Sequence, residues 1–105
     1  MSINVGRDIP EIHEKLMGVS ATEFAKSLAC LPGVKPTVIG PDQYSFALDP
    51  GEVVINVTEL EDLHIKGTLF VFPQRQVVFT FTGATQEARN AFVLQFDRTF
   101  QRGGG

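Results

Sequence analysis

Residues 28 to 48 read LACLPGVKPTVIGPDQYSFAL, and the spacing of apolar residues changes period within them. On the N-terminal side, Phe24, Ala25, Leu28, Ala29 and Leu31 recur at helical intervals. On the C-terminal side, Tyr44, Phe46 and Leu48 alternate with Ser45 and Ala47, the period of a half-buried strand. Pro32 forces the residue before it out of the α region, and Gly33 accepts a left-handed turn, so a helix stops here. Gly40-Pro41-Asp42-Gln43 carries Pro and Asp at the centre of a turn, which folds Val38-Ile39 back on Tyr44–Leu48. A helix that hands over directly to a hairpin predicts a mixed α+β chain.

The rest of the sequence extends that pattern. Ile3 and Val5 alternate with polar neighbours and permit a short strand over 2–7. Asp8 as N-cap, Pro10, and Glu11 at capping-box distance predict a first short helix, with Ile9, Ile12 and Leu16 on one face and Gly18 at its end. Ser20 and Glu23 repeat the capping-box spacing and predict a second. Beyond the first hairpin, Asp49-Pro50-Gly51 is a turn and Val53, Ile55 and Val57 form a strand. Glu59–Asp62 reads as an acidic turn, and Ile65, Leu69 and Val71 as a strand ending at Pro73. Gln74-Arg75 reads as a tight connection into a last strand, Val77, Phe79 and Phe81. Thr85 is placed to cap a long final helix in which Ala88, Phe92, Phe96 and Phe100 recur every four residues.

The expected architecture is a two-layer α+β domain over 1–102: an antiparallel meander sheet, two short N-terminal helices, and one long C-terminal helix packed on one face. Residues 103–105 read as a flexible glycine tail. The 105 residues form one domain, large enough to bury a core. Seven of the nine Phe fall between Phe70 and Phe100, so the C-terminal third supplies most of the large apolar surface.

Composition excludes several functions. A net charge of −3, with scattered Lys and Arg, offers no basic face for nucleic acid. No apolar run is long enough for stable membrane insertion and no signal-peptide pattern opens the chain, so a cytoplasmic location is expected. A single cysteine, Cys30, permits no disulfide framework and no multi-cysteine metal site. It has no His–Asp or His–Asn companion at catalytic spacing and reads as a packed thiol at the helix end. His13 and His64 lack neighbours at metal-ligand spacing, and Glu59, Glu61 and Asp62 lack the glycine turn of a calcium loop. The sequence therefore offers no catalytic residues, no metal ligands and no cofactor site.

Leu28-Ala29-Cys30-Leu31-Pro32-Gly33-Val34, then Ile39-Gly40-Pro41-Asp42-Gln43-Tyr44, resembles the N-terminal part of the START/polyketide-cyclase (SRPBCC) superfamily of helix-grip, TBP-like proteins. The nearest likeness is to the G-subunit family of carbon monoxide dehydrogenase, in a shortened form. Ala88-Arg89 through Phe96 is similar to that family's terminal helix. The likeness covers roughly 8–48 and, loosely, 85–100. It implies a curved sheet gripping the long helix around an apolar ligand cavity. Family members are longer and carry an extra strand pair that has no counterpart here.

Two sets of residues follow as candidates. Tyr44, Phe46, Phe79, Phe81, Phe92 and Phe96 face one another if the last helix crosses the sheet. They form either a core or, with Thr99, the lining of a lipophile pocket. Val54, Phe70, Phe72 and Val78 have the opposite strand parity and form an apolar patch on the outer sheet face, which favours a homodimer. The leading expectation is non-enzymatic binding of a hydrophobic small molecule between sheet and C-terminal helix. The alternative is a ligand-free interaction module or accessory subunit working through the outer face. A small polyketide-cyclase-type enzyme is a third reading, for which the sequence offers no acid–base pair.

Overall fold

The computed structural model describes residues 8–31 and 35–103. Its elements are β1 (Ile12–Met17), α1 (Ala21–Leu28), β2 (Thr37–Gly40), β3 (Gln43–Ala47), β4 (Glu52–His64), β5 (Val71–Thr82) and α2 (Gln86–Gly103). The five strands form one antiparallel sheet in the order β1-β5-β4-β3-β2. β2 to β5 are a meander; α1 carries the chain from β1 at one edge to β2 at the other. The α+β meander with a C-terminal helix is thus present, with one N-terminal helix in place of two.

Local chemistry explains most of these elements. Ser20 caps α1, its side chain accepting from the Glu23 amide at 3.2 Å while Glu23 reaches back to the Ser20 amide. Thr85 caps α2 in the same way, its hydroxyl accepting from the Ala88 amide at 3.1 Å. The β2–β3 turn places Asp42 at φ 60°, a left-handed conformation that Asp tolerates better than most residues.

The segment expected to be the first helix is the edge strand β1. Ile9, Ile12 and Leu16 do lie at helical spacing, but tertiary bonds decide the outcome. The Ile9 amide donates to Asn90 Oδ1 at 2.9 Å, and the Ile9 carbonyl accepts from Gln86 Nε2 at 2.7 Å and Arg89 Nε at 2.8 Å. The Phe81 amide donates to the Glu11 carbonyl at 2.8 Å, and the ladder runs from Ile12↔Thr80 to Met17↔Arg75. Pairing satisfies the backbone edge of β5, which a helix would leave bare. The expected strand over 2–7 and the stop at Pro32-Gly33-Val34 lie outside the described residues. So do residues 104 and 105 of the expected tail, while α2 itself continues through Gly103.

Two expected breaks are not breaks. Glu59–Asp62 lies within β4, and Pro73-Gln74-Arg75 within β5, so one long hairpin replaces the turn, the strand and the tight connection. A register shift between Leu60 and Leu63 falls opposite Pro73, which has no amide to donate to a ladder. The true turn lies at 65–70. There Gly67 takes φ 82°, and the Thr68 hydroxyl donates to the Ile65 carbonyl at 2.8 Å and accepts from the Phe70 amide at 3.1 Å.

The core lies between the sheet and the two helices. Phe46, Val53, Ile55, Val77 and Phe79 from the sheet are fully buried, with Leu28 of α1 and Phe96 of α2. Among the described residues, no helix covers the opposite sheet face. On it, Gln76 Nε2 donates to Glu14 Oε1 at 3.0 Å and Gln43 Nε2 to Asn56 Oδ1 at 2.6 Å.

Candidate functional site: an apolar arm and a groove beside the last helix

Of the six aromatic residues expected to face one another, Phe46, Phe79, Phe81, Phe92 and Phe96 do so. Phe46 and Phe92 have ring centroids 5.2 Å apart, Phe79 and Phe96 4.9 Å, and Phe81 and Phe92 6.2 Å. These five rings are buried and fill the space between α2 and the sheet with one another. Tyr44 is half-buried at the margin, 6.0 Å from Phe24, and Thr99 is half-buried on α2.

Open space lies to one side. A groove of about 340 Å³ runs between the first half of α2 and the β3–β4 turn, lined by Leu31, Leu48, Asp49, Ala88, Ala91, Phe92 and Gln95. Of the expected pocket residues, only Phe92 reaches it. Sequence spacing could not have found this groove, because its walls come from three segments distant along the chain.

The second feature is the far half of the β4–β5 hairpin. β3 pairs with β4 only from Glu52 to Asn56, and β1 pairs with β5 only from Arg75 to Thr80. Beyond those limits the two strands run on as an arm, on which every residue from Thr58 to Phe72 is exposed. Leu69 at the turn is 99% exposed and Phe70 is 65% exposed. Leu60, Leu63, Ile65, Val71 and Phe72 expose a third to a half of their surface each. Phe70 and Phe72 stack at 6.3 Å with 19° between ring planes, as side chains two apart on one strand face do. Val54 and Val78, grouped with them by parity, are half-buried on the sheet proper. Gln74 and Gln76 occupy the β5 positions of that parity between Phe72 and Val78.

The remaining polar candidates sort by burial. Cys30, expected as a packed thiol, is exposed instead, because α1 ends at Leu28 and buries Leu28 and Leu31 on either side of it. His64 is exposed at the end of β4, where it pairs with Val71. His13, on β1, tilts against Phe79 with centroids 5.6 Å apart. Burial lowers its pKa below the ordinary 6.5, Lys15 pushes it the same way, and Asp97 opposes them. It is a neutral ring covering the core edge. Lys15 binds Asp97 at 2.7 Å and ties β1 to α2.

Arg75 is the polar residue that the sequence hid. It is buried, its nearest carboxylate is Glu59 at 3.8 Å, and its Nε has no partner among the described residues. Its place on the core face was legible: counting back by two from Phe81 through Phe79 and Val77 reaches it. No group of three or more His, Cys, Asp or Glu side chains that could hold a metal occurs among the described residues. No described helix is long and apolar enough to cross a membrane. No family model matches the chain, and no curated protein or solved structure matches it either.

Proposed function

We propose that this chain is a non-enzymatic interaction module that works by self-association, with the β4–β5 arm as its contact surface. The observation that carries this reading is the seven exposed apolar residues between Leu60 and Phe72, on an arm that no element of the described residues covers. Together the seven apolar residues expose on the order of 700 Å², backbone included, over the two faces of the arm, taking roughly 200 Å² for a whole aromatic residue. A typical stable interface takes about 800 Å² from each partner, so an arm embraced on both faces supplies most of one side. Water around such a surface favours a second copy, and a two-fold dimer is the commonest closed solution. The double variant Phe70→Lys with Phe72→Lys is expected to be a folded monomer in light scattering, with an unchanged circular dichroism spectrum. A wild type that is already monomeric at high micromolar concentration would sink the reading.

The lipophile reading is second, and the groove beside α2 is the observation in its favour. One long helix laid across an antiparallel sheet also supports a reduced helix-grip fold, from which a ligand role would follow. With the space between helix and sheet filled, such a molecule would sit in the groove, against Ala88 and Phe92. A native mass spectrum of protein purified from its own source tests it: an added mass of a small lipophilic compound is expected, and the bare polypeptide mass alone would discard it.

A further inference from the structure

We propose that the arm of one copy lies antiparallel along α2 of a second copy, with Leu69 and Phe70 seated in the groove beside Ala88 and Ala91. The inference rests on the self-association proposed above and names the surface that receives the arm.

Shape comes first. The arm tip is the most exposed apolar feature among the described residues, and the groove is a recess with mostly apolar walls. They cannot meet within one chain. β4 starts three residues after Asp49 of the groove and runs 13 residues to the tip, about 43 Å at strand rise. Tip and groove therefore lie at opposite ends of the molecule. Two copies side by side and head to tail bring each tip to the other's groove, so both contacts form at once and the assembly closes. A parallel arrangement would leave one tip and one groove open, and copies would add without end.

Charge then fixes the direction. Ala91 and Gln95 line the groove four residues apart, and Arg98 follows three residues later on the same face, exposed, so α2 presents one stripe that is neutral first and basic later. The arm has a matching order from tip to base: Lys66, Leu69 and Phe70, then the acidic pair Glu61 and Asp62. From the turn to that pair is on the order of 15 Å along the strand. From Ala91 to Arg98 is about 10 Å along the helix. Antiparallel docking puts Leu69 and Phe70 against Ala88 and Ala91, Glu61 and Asp62 near Arg98, and Lys66 at Asp49 on the groove wall. The reverse direction sets Lys66 beside Arg98 and the acidic pair beside Asp49, like charge on like. The same acidic pair disfavours an anionic lipid surface as the occupant.

Sedimentation of purified full-length protein tests this. Lys66→Asp and Asp49→Lys are each expected to weaken the dimer about tenfold, since each contact occurs twice. The double variant is expected to return to within about threefold of wild type. Ala91→Trp fills the groove from an exposed position and is expected to abolish the dimer while leaving the thermal unfolding midpoint in place. A dimer unaffected by Ala91→Trp, or a double reversal no tighter than its single variants, overturns the inference and leaves self-association through another face standing. A monomeric wild type overturns both.

Discussion

Replacing Phe96 with alanine is expected to lower the free energy of unfolding by about 3–5 kcal/mol, the usual cost of emptying a buried aromatic site. The ring is fully buried, 4.9 Å from Phe79, 4.3 Å from Phe100 and 6.3 Å from Phe24. Its partners come from β5, from α2 itself and from α1, so no single element can move in to fill the space. A small domain has about 5–15 kcal/mol in all, so the loss is a large fraction of its stability. Urea denaturation followed by circular dichroism reads the change as a shift in midpoint at constant slope. A loss under about 1 kcal/mol would mean that α2 does not lie on this face.

Gly51→Ala is expected to cost about 2–5 kcal/mol, adding a strained backbone to a steric overlap. Gly51 has φ 91°, and a Cβ there would lie 2.5 Å from both the Ala84 amide nitrogen and the Thr82 carbonyl oxygen. Both obstacles are backbone, where β5 turns toward α2, so relief requires shifting the junction of sheet and helix. Gly67 supplies an internal control. Its φ is 82°, but nothing lies within 4 Å of a Cβ built there. Gly67→Ala therefore carries only the backbone term, about 1 kcal/mol. Thermal unfolding of the two variants side by side separates the terms, and equal losses would show that the close approach at Gly51 is absent.

Where the chain's own short-range chemistry decides the structure, the sequence was readable. Ser20 and Glu23 satisfy each other's amides, Pro41-Asp42 closes its hairpin, and the four-residue repeat of Phe92, Phe96 and Phe100 meets the sheet on one side. The misreadings share a cause, in that a distant partner outweighed a local signal. Ile12 and Leu16 carry a helical spacing, yet they lie on the open sheet face, 61% and 64% exposed, because β5 needed an edge partner. Glu59, Glu61 and Asp62 suggested a turn, yet extended backbone tolerates charge wherever both faces meet water, as on the arm. Pro73 suggested an end, but a bulge opposite it absorbs the missing amide. The groove had no signature at all, since Leu31, Leu48 and Ala88 become neighbours only when the fold is complete.

The strand order has a consequence for how the chain is made. Ile12 lies opposite Thr80, so of the five strands in the sheet the first made waits for the last before it has a neighbour. At roughly 5–20 residues per second, that wait is several seconds. Over that interval the segment Ile12–Met17 must remain soluble beside a growing polypeptide, and its alternation of Ile, His, Glu, Lys, Leu and Met suits it to do so. Glu14 and Lys15 at its centre discourage pairing with stray strands, as charges on edge strands do. The meander from β2 to β4 meets no such delay, since each strand has its neighbour within a few residues. The sheet is therefore assembled from one edge inward and sealed last at the other, by the earliest-made of its five strands.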